Sequence, residues 1–132
     1  MVTTYYLDTS VAVHVLMGAH RNASEWFDET VGEAELISSR LLRTELTRVL
    51  RRLNEPVTRR DHVLDFIGII PLDHAVLQEA EAIVPHIRSL DAIHLASALR
   101  SGIEDIVVCT HDARMKEVAA ELGLGTLDPV SP

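Results

Sequence analysis

The chain has 132 residues, of which 47% are apolar, and a formal net charge of −8. This length supports one hydrophobic core and excludes two ordinary domains. The surplus of acids argues against a protein that coats nucleic acid, because binding to phosphates relies on Lys and Arg. No apolar run approaches the roughly 20 residues of a spanning helix, and the first residues lack the features of a signal peptide, so we expect a cytoplasmic protein without a membrane segment.

Signals for strands and helices alternate along the chain. The predicted strands cover residues 2–7, 35–38, 69–72, 103–110 and 125–127. The predicted helices cover residues 9–17, 23–31, 39–53, 58–67, 75–84, 89–101 and 113–122. Asp73 and Ser89 are the expected N-caps of the two helices that follow them. This order predicts an open, mainly parallel α/β sheet with helices on both faces, in one domain of residues 1–128 followed by a tail, 129–132.

Two aspartates occupy equivalent positions in this pattern. Asp8 and Asp112 each lie at or just past the C-terminal end of an apolar strand, immediately before a predicted helix. In open α/β sheets ligands bind at that edge. The alternative for each residue is an N-cap or turn aspartate.

Glu45 and Asp91 lie on predicted helices. Glu45 falls on the apolar stripe of its helix, which a solvated glutamate would avoid; an edge position or a buried pair with an Arg is the alternative. Asp91 opens a helix whose only polar row is Asp91, His94 and Ser97, so this row faces either water or a site. A first-turn aspartate also interacts favourably with the helix dipole, and His94 is interpreted as a structural histidine.

Together the four carboxylates indicate a metal site. A buried carboxylate is costly unless it is neutralised, and several carboxylates from distant points of a chain most often hold a divalent cation. Ligand sets made only of oxygen select hard cations. The only cysteine, Cys109, lies in an apolar run and is expected to be a buried small side chain without chemistry.

Four segments resemble the acidic motifs of PIN-domain ribonucleases, specifically the VapC-type toxins of bacterial toxin–antitoxin pairs. They are YLDTS at residues 6–10, RTEL at 43–46, LDAIHLA at 90–96 and THD at 110–112. The resemblance extends in order and spacing over residues 2–123. It implies a Rossmann-like PIN fold that binds Mg²⁺ or Mn²⁺ and hydrolyses RNA with a metal-activated water.

The resemblance also assigns roles to residues. It makes Asp8, Asp91 and Asp112 metal ligands, while Glu45 binds a second ion or orients water. Ser10 and Thr110 would hydrogen-bond a carboxylate or a water at the metal, with a helix cap as the alternative. The implied partners are a VapB-type antitoxin that presents a basic side chain to the pocket, a second copy of the chain in a homodimer, and a tRNA, rRNA or mRNA substrate.

Basic residues are concentrated in one segment. Seven of the eleven Arg residues lie between positions 40 and 60. Four of them, Arg43, Arg48, Arg51 and Arg52, are candidate contacts for RNA or for the antitoxin, since Arg suits bidentate contact with phosphate or carboxylate. A solvated helix face is the alternative.

Two other functions compete with a nuclease. A PIN-like module that binds RNA or protein without cutting is possible, although all four acids are present. A metal-dependent phosphatase could use the same sheet edge, but haloacid-dehalogenase-like enzymes carry a second aspartate where this chain has Ser10. Receiver domains need an acidic pair after the first strand, whereas Asp8 stands alone.

Overall fold

Five short parallel strands form the centre of the protein, in a computed structural model that describes residues 2–132. Met1 of the predicted domain lies outside the described residues, and the domain boundary at residue 128 stays a prediction. The strands are β1 (Thr4–Leu7), β2 (Glu35–Ser39), β3 (Gly68–Ile70), β4 (Val107–Cys109) and β5 (Gly125–Leu127). The helices are α1 (Thr9–Met17), α2 (Arg21–Thr30), α3 (Arg40–Arg52), α4 (Asp61–Leu64), α5 (His74–Ala82), α6 (Ser89–Arg100) and α7 (Ala113–Glu121).

The order of the strands places β1 in the middle of the sheet. The order is β3-β2-β1-β4-β5, and every pair is parallel. The chain builds outward from β1 through β2 to β3, and then crosses to the other side of β1 for β4 and β5. The C-terminal ends of β1 and β4, where Leu7 pairs with Cys109, therefore form the switch point of the sheet, the place where such folds bind ligands.

Helices cover both faces of the sheet, and each face has its own core. Successive strand residues point to opposite faces, so Leu7 packs with Leu42, Leu46 and Leu50 of α3, whereas Tyr6 packs against the second face. The second core also contains Leu95, Val108, Met115 and Val118. The predicted parallel α/β sheet with helices on both faces is confirmed.

Some boundaries differ from the prediction. The predicted helix at 58–67 is two shorter pieces, a 3-10 turn at Val57–Arg60 and then α4. The predicted strand at 103–110 is shortened to β4, because Asp105 has a left-handed φ of 56° that interrupts extended backbone.

Ser89 is the first helical residue of α6, so its prediction as the N-cap is wrong. The Arg88 carbonyl accepts the first helical hydrogen bond, from the Ala92 amide, which makes Arg88 the N-cap. Asp73 does cap α5, since its side chain accepts a hydrogen bond from the Val76 amide. Cys109 is fully buried, as predicted. None of the helices described in residues 2–132 is long and apolar enough to cross a membrane.

Candidate active site

Asp8 stands at the N-cap of α1 without capping the helix. Its backbone is extended there, but its side chain makes no capping hydrogen bond. Instead the carboxylate, only 4% exposed as a residue, accepts hydrogen bonds at Oδ2 from the Ser10 hydroxyl at 2.7 Å and the Thr110 hydroxyl at 2.9 Å. The contacts turn the carboxylate toward the segment after β4, so the simple N-cap interpretation of Asp8 is wrong.

Ser10 and Thr110 join the first acidic segment to the last. While each hydroxyl donates to Asp8, it also accepts a backbone amide: Ser10 Oγ accepts from His111 at 3.0 Å, and Thr110 Oγ1 accepts from Asp112 at 3.1 Å. The two hydroxyls therefore fix the position of Asp8 relative to the 110–112 turn. Both side chains contact a carboxylate, and neither caps a helix in these bonds.

Asp112 divides its two oxygens between structure and site. Oδ1 accepts a hydrogen bond from the Met115 amide at 2.9 Å and so caps α7. Oδ2 accepts one from Nη2 of Arg88 at 3.2 Å. Asp112 therefore does cap α7, through Oδ1. Its other oxygen, Oδ2, faces the Arg88 guanidinium at the sheet edge.

Asp91 lies in the first turn of α6 beside the same arginine. Nε of Arg88 donates to Asp91 Oδ2 at 3.0 Å. Burial raises the pKa of Asp91, and the negative charge of Asp8 adds to this effect, while Arg88 opposes it. The carboxylates of Asp8 and Asp91 are therefore close enough to repel each other.

Arg88 is a member of this cluster that the sequence did not single out. Its guanidinium bridges Asp91 and Asp112, although its side chain is 78% exposed. The spacing of three residues between Arg88 and Asp91 was visible in the sequence. The contact with Asp112, 24 positions away, depends on the packing of α6 beside the end of β4 and had no local signal.

Glu45 projects from α3 into a neighbouring hydrogen-bonded group, whose His94 Nε2 also lies 4.0 Å from Asp8 Oδ1. Its Oε1 accepts from the His94 ring at Nε2, 2.6 Å away, and from the Thr9 hydroxyl at 2.7 Å. Burial alone would raise the pKa of Glu45, but the hydrogen bond from His94, with a further one from Thr9, lowers it overall. Because the described partner is His94, the alternative of a buried pair with an Arg is wrong.

His94 connects Glu45 to the core. The imidazole is buried, and its second nitrogen, Nδ1, lies 2.8 Å from the Tyr6 hydroxyl. Burial raises the pKa of this hydroxyl far above its ordinary value, so it stays protonated and can donate to Nδ1. His94 is a hydrogen-bonded structural histidine, as predicted, and one of its partners is a predicted site residue.

The carboxylates have the right chemistry for a hard cation, but their present positions do not form a metal site. No three acidic, histidine or cysteine side chains in residues 2–132 are gathered, as they stand, into a group that could hold a metal ion. The donors are nevertheless carboxylate oxygens, Asp8 and Asp91 repel each other, and one guanidinium already pairs with both Asp91 and Asp112. The cluster therefore fits a divalent cation, provided that the side chains rearrange to admit it.

The four arginines chosen from the sequence are exposed on α3. Because a helix turns about 100° per residue, Arg48 and Arg52 share the side of Glu45, whereas Arg43 and Arg51 lie away from it. The structure thus does not bring all four toward one surface with the carboxylates.

Comparison with known proteins identifies the family. The PIN domain profile matches residues 5–121. The chain belongs to the PIN-domain family. Among curated relatives, it is 35% identical over 130 residues to Ribonuclease VapC47 of Mycobacterium tuberculosis, covering 94% of this chain and 96% of the relative. It is also 36% identical over 95 residues to Ribonuclease VapC46 of the same species, covering 70% and 73%. These relatives place it in the VapC group of that family, which confirms the predicted resemblance.

Solved structures agree on the fold. VapBC2 from Rickettsia felis bound to a promoter DNA fragment aligns with a TM-score of 0.72 at 13% identity, over 96% of this chain and 98% of the matched chain. FitAcB from Neisseria gonorrhoeae aligns with a TM-score of 0.71 at 18% identity, over 97% and 99%. At such identities the likeness concerns the fold alone.

Proposed function

We propose that the protein is a metal-dependent endoribonuclease that acts as the toxin of a toxin–antitoxin pair. The observation that carries the proposal is the position of Asp8. It occupies a helix N-cap, yet its carboxylate is held by Ser10 and Thr110 at the switch point of the sheet. A carboxylate kept there without capping the helix is better explained by chemistry than by local structure. The curated relatives, which are named ribonucleases, support the same activity.

In this proposal Asp8, Asp91 and Asp112 hold one Mg²⁺ or Mn²⁺ ion, and Glu45 binds a second ion or orients a water. When bound, such an ion lowers the pKa of water and stabilises the charge that develops on the leaving oxygen. Ser10 and Thr110 keep Asp8 in position through their hydrogen bonds to Oδ2. Oδ1 has no hydrogen bond to a described residue and is the oxygen available to a cation.

Glu45 is suited to orient the attacking water. Its lowered pKa keeps the carboxylate ionised at neutral pH. Oε1 is already occupied by His94 and Thr9, so Oε2 is the oxygen that can accept a hydrogen bond from water and receive its proton. General bases of this kind must lie within hydrogen-bonding reach of the proton they remove.

The direct test of the activity is cleavage of total RNA by the purified protein with Mg²⁺ or Mn²⁺ and with excess chelator. We expect cleavage with metal and none with chelator. A variant such as Asp73→Asn serves as the control, because Asp73 is a helix cap on another part of the chain and Asn preserves the cap. Cleavage that is equally fast in chelator would rule out the metal-dependent mechanism.

The proposed partner is a VapB-type antitoxin. Several matched structures are described as VapBC or toxin–antitoxin complexes, which supports a partner of this kind and a homodimer of the toxin. The antitoxin would present a basic side chain to the acidic pocket and compete with the metal. The RNA substrate of the toxin would place the toxin's action in the cytoplasm. We expect induction of the protein alone to arrest growth and co-expression of the antitoxin to restore it; normal growth with intact RNA would contradict the toxin role.

A further inference from the structure

We propose that Arg88 is a built-in counter-ion of the acidic site, which pairs with Asp91 and Asp112 in the metal-free protein and leaves them when a divalent cation binds. The inference rests on the proposed function, because it takes both carboxylates as metal ligands. It adds a competition within the chain itself that sets the metal concentration at which the site loads.

The contacts of Arg88 are the first argument. One guanidinium uses two of its nitrogens on two different site residues: Nε reaches Asp91 Oδ2 at 3.0 Å, and Nη2 reaches Asp112 Oδ2 at 3.2 Å. Oδ1 of Asp112 is already committed to capping α7. The oxygen bound to Arg88 is therefore the one that Asp112 has left for a cation, and a guanidinium and a divalent ion would repel each other across it.

The weak attachment of Arg88 is the second argument. Its two hydrogen bonds to the carboxylates are the only side-chain bonds it makes with described residues, and its side chain is 78% exposed. Exposed ion pairs contribute little and are readily exchanged for water. Arg60, by contrast, has a buried Nε and donates from Nη1 to Thr47, so it is fixed in the fold. Arg88 can swing into solvent without disturbing the core.

The charge of the cluster is the third argument. The carboxylates of Asp8 and Asp91 are largely buried, with side chains 5% and 16% exposed, so the metal-free site needs a positive charge. Arg88 supplies a single charge at the exposed side of the cluster, through its ion pairs with Asp91 and Asp112. A divalent cation that reaches Asp8 as well as Asp91 and Asp112 would neutralise the cluster more completely, which favours the exchange.

The exchange can be observed on the arginine itself. In ¹⁵N-labelled protein, we expect Mg²⁺ to shift or broaden the Nε–Hε signal of Arg88 as its hydrogen bond to Asp91 is lost. Arg21 provides an internal control, since its Nε donates to Glu25 Oε1 at 2.6 Å within α2, and neither residue belongs to the carboxylate cluster. The backbone amides of residues 110–112 report independently on whether the metal binds.

The outcomes separate the two proposals. If the amide signals of residues 110–112 shift to saturation with Mg²⁺ while the Arg88 signal is unchanged, the proposed exchange is wrong but the metal site is supported. If none of these signals responds to Mg²⁺ or Mn²⁺, the metal site itself is wrong, and the exchange falls with it.

Calorimetry gives a second, quantitative test on the whole protein. We expect Arg88→Ala to tighten Mg²⁺ binding by roughly threefold to tenfold, the effect of removing one exposed competing ion pair. Arg21→Ala is the matched control, because it removes one positive charge and one exposed ion pair, with Glu25, elsewhere. Equal metal affinity in the two variants would overturn the proposal.

Discussion

Nε2 of His94 lies 2.6 Å from Oε1 of Glu45, which joins a fully buried imidazole of α6 to a half-buried carboxylate of α3. The two residues are 49 positions apart in the sequence. Through Nδ1 the same ring contacts the Tyr6 hydroxyl on β1. The carboxylate is thus positioned by a chain of hydrogen bonds that begins in the central strand.

Replacing His94 should therefore affect both stability and activity. His94→Ala leaves the Glu45 and Tyr6 groups without a partner and opens a cavity, so we expect a loss of about 2 to 4 kcal/mol in the free energy of unfolding. His94→Gln, whose amide can still donate toward Glu45, should recover part of the stability and of the cleavage rate. Urea unfolding and a cleavage assay measure the two effects. An Ala variant as stable and active as the wild type would show that this chain of hydrogen bonds has no role.

The lowered pKa of Glu45 predicts a dependence of stability on pH. Because the folded-state pKa lies below the ordinary value of 4.5, the stabilisation is fully present above that value and is lost as the pH falls through the folded-state pKa. Glu45→Gln lacks this titration. We expect its free energy of unfolding to fall less steeply than that of the wild type below about pH 4.5, measured by urea unfolding across pH; parallel curves would contradict the prediction.

The raised pKa of Asp91 should change stability with pH in the opposite direction. Its pKa is raised above the ordinary 3.8 by burial and by the charge of Asp8, so its ionised form destabilises the metal-free protein at neutral pH. This cost is relieved as the pH falls through the folded-state pKa. In chelator we expect Asp91→Asn to be more stable than the wild type at pH 7, with a smaller difference in acid.

Addition of metal should make the wild type more stable than Asp91→Asn. A ligand that binds only the native state raises its stability, so Mg²⁺ should stabilise the wild type and leave Asp91→Asn nearly unchanged. Thermal unfolding with and without Mg²⁺ measures the effect. If Asp91→Asn is the less stable protein in chelator at pH 7, the carboxylates do not repel each other as described.

The sequence predicted most of the fold because its signals are local. The alternation of strands and helices was sufficient for the sheet and for its two helical layers. Asp8 and Asp112 could be chosen because each follows a strand directly, and parallel strands bring such positions to one edge. Ser89 was misplaced by one position because Arg88, and not the serine, begins the helical hydrogen bonding of α6.

The contacts around the carboxylates could not be predicted in the same way. Arg88 meets Asp112, and His94 meets Glu45, only after the N-terminal half of α6 comes to lie beside the turn that follows β4 and beside α3. Such pairs leave no periodic pattern. Arg88 also resembled an ordinary surface residue, since it lies between two predicted helices and outside the acidic motifs.

The arginines of α3 can be tested as two matched pairs. Arg48 and Arg52 lie on the side of Glu45, whereas Arg43 and Arg51 lie away from it. If the first pair contacts RNA phosphates, changing both residues to Ala should weaken RNA binding and flatten its salt dependence by roughly 0.7 to 0.9 log units per lost contact. The maximal cleavage rate should change less than affinity, because such contacts bind substrate and transition state alike.

The Arg43 and Arg51 double variant is the control for this experiment, with the same loss of charge on the same helix. Affinity should be measured across a salt series in an Asp8→Asn background with enough metal to load the site. If neither double variant changes the salt dependence of RNA affinity, α3 is not an RNA-binding surface, and the antitoxin is favoured as its partner.

The nuclease site depends most directly on Asp8. Removing its charge should weaken metal binding and reduce cleavage by at least about a hundredfold, while the fold is preserved, because Asn can still accept hydrogen bonds from Ser10 and Thr110. The decisive measurement is the sequencing of RNA 5′ ends after induction of the wild type and of Asp8→Asn, at equal protein levels. We predict new, discrete 5′ ends in the wild-type culture and their absence with Asp8→Asn; the same new ends in both cultures would contradict a carboxylate-dependent ribonuclease.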